Sequence, residues 1–273
     1  MKRLLLLGLI VLLFSPAGFS QSFGDIYRKS IEDNEAIPYP FLREADVIWS
    51  KRMWRLIDLR EKMNQSLYYP LTERPDGRKN LLEIILGEVK AGNLNAFDVD
   101  EMTVSVTYSD IESKLGGGYD TVPVPDMQGI MRDTVIYNPP QHSDVKQLMI
   151  LEEWFFDKKH SKVDVRIIGI SPIRVFFDPQ LDRMSRVQLF WIRYDDFRDT
   201  FARHEAFNRH TDAQRISFDD LFLQRRFSGT IYAESNVYDD RLINQYMLGK
   251  SALYEAARIE QELRNFEHDL WEY

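Results

Sequence analysis

The sequence predicts an α+β fold: an N-terminal helical hairpin at about 44–92, a central antiparallel β-sheet built on one long hairpin, and a C-terminal helix at about 250–272. Three stretches carry this prediction. "QLMILEEWFFDKKHSKVDVRIIGISPIRVFF" alternates along two arms joined by a polar turn, the pattern of paired strands. "DVIWSKRMWRLIDLREKMNQSLYYP" and "NLLEIILGEVKAGN" read as two neighbouring helices. Ala252, Ala256, Ile259, Leu263, Phe266 and Leu270 alternate in steps of four and three, the spacing of an apolar helix seam.

Residues 1–20 have the make-up of a signal peptide. Met1-Lys2-Arg3 is a basic start, Leu4 to Phe14 is an eleven-residue apolar run, and the small residues Gly18 and Ser20 suit cleavage before Gln21. Eleven residues fall short of the roughly 20 that cross a bilayer, so an exported chain with no membrane insertion of its own is expected. The chain has no cysteine. That excludes a disulfide framework, a thiolate metal site, a cysteine nucleophile and a lipidated mature N-terminus. Removing Lys2 and Arg3 takes two from 35 basic residues and leaves 33 against 43 acidic, a net charge of −10, so nucleic acid is not an expected partner.

Residues 21–43 read as an extended arm, with Pro38 and Pro40. Residues 44–273 form a single α+β domain. Its first helix, Glu44 to Asn64, is unusual in carrying apolar residues on several sides. At about 100° per residue Trp49 and Trp54 point about 140° apart. Met53, Leu56 and Met63 lie near Trp49, whereas Val47 and Ile57 lie near Trp54. Pro75-Asp76-Gly77 makes a reverse turn. A second helix runs from about Asn80, its cap, to Ala91, and Gly92-Asn93 stops it.

"TVSVTYS" alternates as a strand, "KLGGGYDTVPVPDMQG" breaks regular structure, and "DTVIYNPP" is a short edge strand. In the long hairpin Leu148, Ile150, Glu152, Trp154 and Phe156 share one side, and Val163, Val165, Ile167 and Gly169 come back along the other arm. "RVQLFWIRY" is one more strand, "YDDFRDTFARH" and "SFDDLFLQRRF" are short helices, and "GTIYAES" is a last strand. The C-terminal seam either packs back on the sheet or meets another chain as a short coiled coil.

No catalytic, cofactor or metal residue is expected. His204 and His210 in "HEAFNRH" stand six apart, about 120° around a helix, whereas the zinc motif needs a spacing of four. Glu152 and Glu153 are neighbours on a strand and face opposite ways, so one of the two turns inward and they cannot flank one bond. Gly116 to Gly118 lack the lysine of a phosphate loop.

Asp46 to Pro70 and Glu152 to Ile173 resemble the GldN/PorN family of gliding-motility and type IX secretion proteins of Bacteroidota. The resemblance covers most of the chain after residue 20. It implies a non-enzymatic structural subunit in the periplasm. Such a subunit assembles in a ring with a GldK/PorK-type outer-membrane lipoprotein, self-associates there, and touches a GldM/PorM-type inner-membrane motor protein. A helix apolar on several sides suits a chain that covers its own core and a permanent partner. The expected interface residues are Trp49, Arg52, Trp54, Arg55, Ile259, Leu263 and Phe266. Trp54 with Arg52 and Arg55 is the expected partner side, and Trp49 is the candidate for the inner side. The alternatives are a periplasmic enzyme or ligand-binding protein acting on cell-wall or exported material, and a free-standing chaperone that uses exposed sheet edges.

Overall fold

The structure is a computed structural model and describes residues 31–100, 102–125, 131–179, 181–208 and 215–269. The expected signal peptide, the first part of the arm, His210 and Leu270 lie outside the described residues. The long hairpin is present, as β6 (Val145–Asp157) and β7 (Lys162–Asp178). It is flanked on one side by β8 (Arg183–Gln188) and on the other by β1 (Val47–Asp58) and then β12 (Thr230–Glu234). Every neighbouring pair is antiparallel, and a short β9 (Ile192–Arg193) also pairs with β7.

The expected helical hairpin is corrected here. Its first member, with both tryptophans, is strand β1, which pairs along its length with β6. The apolar sides that crowd a helix are the two faces of a strand covered on both, and such a strand loses clean alternation. Trp49, Met53 and Ile57 take one face, and Trp54 and Leu56 the other. The second member is a helix. After the four-residue α1 (Gln65–Tyr68), α2 (Leu81–Ala91) starts where the Asn80 side chain accepts from the Glu83 N–H, and ends at Gly92, whose φ of 73° is left-handed.

The next stretch differs from its expected order. A two-residue ladder joins β2 (Ala96–Phe97) to β3 (Ser105–Val106), and the chain then turns into α3 (Tyr108–Lys114). Thr107 and Asp110 form a capping box, so the local cap ends the alternation of "TVSVTYS". Part of the glycine- and proline-rich stretch is a strand: β4 (Gly118–Pro125) pairs with β5 (Met131–Asn138) as a separate two-stranded ribbon. Both strands of such a ribbon are edges, where a proline without N–H is tolerated.

"RVQLFWIRY" is divided. β8 stops at Gln188, and Trp191 then exchanges both backbone hydrogen bonds with Phe97. Helix α4 (Tyr194–Arg203) follows, then the small ladder of β10 (Glu205–Ala206) with β11 (Ile216–Ser217) and helix α5 (Phe218–Leu223). After β12 come α6 (Ile243–Tyr246) and the long α7 (Lys250–Asp269).

One face of the sheet carries most of the core. Ile57, Leu148, Ile150 and Ile170 pack there with apolar residues of α2, α4 and α5. Farther along the same face Ala256, Ile259 and Leu263 of α7 close over Met53 and Ile231. The C-terminal seam thus packs back on the sheet. The opposite face holds a smaller cluster around Met149, Leu151, Ile173 and Val175. At the N-terminal end Tyr39 lies between two guanidiniums, Arg198 at 4.0 Å and Arg166 at 4.8 Å from its ring. Arg166 donates to Pro40 O at 2.8 Å, and Arg198 donates to Ile37 O.

Candidate functional site

The smaller face holds a trough of about 550 Å³. Directly opposed residues of antiparallel strands point to the same side, so the pairs Trp54 with Leu151, Leu56 with Met149, and Gln147 with Ile173 build its floor. Its end wall forms at Gly169. A Cβ there would stand 3.2 Å from the Trp191 ring and 3.3 Å from Met102 Sδ, so the missing side chain admits both. The loop carrying Met102 is fastened at several points. Asp98 accepts from the N–H groups of Thr103 and Val104, Trp191 Nε1 donates to Val99 O at 3.0 Å, and Arg193 stacks on Phe97 at 4.4 Å.

The polar groups of the trough are few. Arg52 and Arg186 are exposed and Asp100 stands near them. Arg60 grips Asp58 with two hydrogen bonds, at 2.8 and 2.5 Å, and holds its carboxyl well down, at a pKa of about 2. The Asp58 carboxylate accepts in turn from Gln147 Nε2 at 3.5 Å. Gln147 is only 4 % exposed, and its Oε1 has no partner among the described residues. On β8, Gln188 Nε2 is also without a partner among the described residues. A surface with an apolar floor, a few polar groups and one partly buried tryptophan is suited to docking a ligand.

The expected interface residues divide between the two faces. Arg52 and Trp54 line the trough. Trp49 lies on the other face with its ring 4.7 Å from Phe266, and Ile259 and Leu263 are buried in the same cluster. Arg55 is enclosed by the chain itself. It faces Glu152 at 3.4 Å and donates to Gly229 O. Glu152, at 0 % exposed, also accepts from Arg225 at 2.9 Å and from Trp154 Nε1 at 3.0 Å, whereas Glu153 is partly exposed beside Arg52. One of the adjacent glutamates thus turns in and the other out.

The remaining sequence candidates come to little chemistry. His204 ends α4, with its Nδ1 2.8 Å from Thr200 O. The Gly116 turn packs on Arg174, whose guanidinium donates to Lys114 O at 3.1 Å. Among the described residues no three histidine, aspartate or glutamate side chains gather as a metal-binding set.

Sequence reasoning missed Gln147, Met149, Gln188 and Trp191. The available signal was the second phase of alternation in "QLMILEE", where Gln147, Met149 and Leu151 share the side opposite Leu148 and Ile150.

The family model for gliding motility associated protein GldN matches residues 42–272, from just before β1 to beyond the described end of α7. No curated protein matches the chain. The match takes in both sheet faces, the trough and the helix over Trp49. The chain belongs to the GldN family of gliding motility associated proteins.

Proposed function

We propose that this chain is a non-enzymatic structural subunit of the gliding and type IX secretion machinery, working in the periplasm. In this reading a GldK/PorK-type lipoprotein holds it at the outer membrane. Copies associate in a ring, and the ring meets the periplasmic part of a GldM/PorM-type motor protein. Family membership supports the machinery, and the leader-like residues 1–20 support export.

The observation that carries the structural role is the trough. Trp54 lies only partly buried over an apolar floor with Arg52 at its rim, and tryptophan and arginine are frequent anchors of protein interfaces. The surplus apolar sides of the supposed helix no longer count toward a partner, because Trp49, Met53 and the α7 seam cover one another. Of the two tryptophan faces of β1, the one this reading gives to partners is that of Trp54.

The test is recovery of the chain from cells that express it with and without the lipoprotein. Sedimentation with outer membranes and co-purification of the lipoprotein are expected. A soluble monomer in both cases, with secretion and gliding intact when the gene is deleted, overturns the reading. Mass analysis of the mature N-terminus is expected to show Gln21 without acylation.

A further inference from the structure

Asp58, Gln147, Ile173 and Gln188 stand abreast across β1, β6, β7 and β8. Gln147 and Gln188 are thus separated by two strand spacings, about 10 Å, which about three residues of extended peptide span. The two amides are complementary in kind. The contact to Asp58 directs the Gln147 Nε2 and leaves a free acceptor, Oε1, and Gln188 offers a free donor, Nε2. A buried amide oxygen with no partner is unfavourable, and an incoming N–H relieves it.

Ile173 stands between these amides, and Leu56, Met149 and Leu151 continue the aliphatic and thioether floor in the neighbouring rows. Trp191 offers no stacking surface to a sugar, since it is 3 % exposed and its N–H is taken by Val99 O, and the partly buried rings of the trough are Trp54 and Tyr232. At the rim Arg52 and Arg186 outnumber Asp100. Arg52 reaches Glu153 only at 4.0 Å, and Arg186 makes no ion pair among the described residues.

We propose that the trough seats an extended segment of a partner polypeptide that runs across β6, β7 and β8. One of its backbone N–H groups donates to Gln147 Oε1, and one of its carbonyls accepts from Gln188 Nε2. An aliphatic side chain rests on the Met149 and Ile173 floor, and a neighbouring carboxylate lies against Arg186. This assignment rests on the reading of the chain as an assembly subunit and specifies the chemistry of one partner contact.

The test is an array of end-capped hexapeptides with all side chains sampled at the central positions, probed with the purified mature chain. Selection of aliphatic residues next to Asp or Glu is expected. Replacing Gln147→Met is expected to weaken the selected peptides about tenfold, the order of loss when one buried hydrogen bond is left unmade. N-methylation at the paired peptide nitrogen has the same effect, and Arg186→Gln removes the acidic preference while leaving the aliphatic one. Arg186 is exposed, so that variant keeps the fold. No selection, or selection indifferent to both Gln147→Met and N-methylation, overturns the proposal. So does quenching of Trp54 by chitohexaose in place of peptide binding. Complex recovery from the same cells separates the two levels. A chain that co-purifies with its lipoprotein yet selects no peptide loses only the trough assignment, and a chain that enters no complex loses the assembly reading.

Discussion

Trp49 and Trp54 stand on the same strand, and their surroundings are opposite. Trp49 packs on Phe266 beneath the C-terminal helix, on the face that also receives α2, α4 and α5. Trp54 faces the trough, where, among the described residues, short segments around Phe97, Met102, Trp191 and Leu242 return over the sheet. The two side chains are chemically identical and both are partly buried, so residue type did not decide which ring meets a helix and which faces the trough. The segments that fold back over each face did. Glu152 and Glu153 repeat the contrast one strand away. One is sealed between two arginines and an indole, and the other is at the surface.

The contrast breaks most sharply at the glutamates. Glu152→Ala leaves Arg55 buried without its counter-charge and is expected to cost about 3–5 kcal/mol. Glu153→Ala is expected to stay within about 0.5 kcal/mol. Urea unfolding of both variants measures this, and equal costs would abolish the distinction between the faces at this point. Loss of function in a variant that lacks Glu152 therefore reports folding before chemistry.

The second contrast is between neighbours on β1. Met53 is 1 % exposed under α7, and Met53→Ala is expected to cost about 2–5 kcal/mol of stability. Trp54→Ala is expected to cost about 1 kcal/mol of stability and about 2–4 kcal/mol of partner binding. Unfolding curves and co-purification read the two quantities separately. If Trp54→Ala unfolds the chain as readily as Met53→Ala, the trough face is core and the comparison fails.

The smallest expected effect concerns the arm. Burial pushes the Tyr39 phenol from the ordinary 10 up to about 12, against the opposing pull of Arg198. A raised folded value means that the folded state favours the neutral phenol. Its contribution is therefore complete below pH 10 and is lost as pH rises through about 12. An ultraviolet difference titration of the wild type against Tyr39→Phe should show one late-ionising phenol fewer in the variant. A Tyr39 that ionises at the ordinary value would mean that the arm is not held between Arg198 and Arg166.

Much of the fold was legible in the sequence because its signals are local. Alternation along Gln147 to Phe156, the Asn80 cap, the Gly92 stop and the four-and-three spacing from Ala252 each depend on residues within a turn or two of chain. The Thr107 capping box was equally local but was outweighed by the alternation before it. Strand β1 was not legible in this way. Lys51 and Arg55 occupy its inner face and blur the period of two, and they are tolerated there only because Glu234 and Glu152, far along the chain, meet them. The trough was the least legible feature. Gln147, Gln188, Trp54 and Trp191 come from three strands and a connection, and only the register of β1, β6, β7 and β8 brings them together.

The sequence by itself determined that there would be a long antiparallel hairpin, a capped helix after Asn80 and an amphipathic C-terminal helix, because near neighbours set period, caps and turns. Only the tertiary structure decided that the tryptophan segment is a strand, that its two sides are unequally covered, and that the Gln147 oxygen and the Gln188 nitrogen, unpartnered among the described residues, share the smaller face. Those outcomes depend on which distant segments pair and pack, and a strand with apolar residues on both faces carries no local mark of which face will be left open.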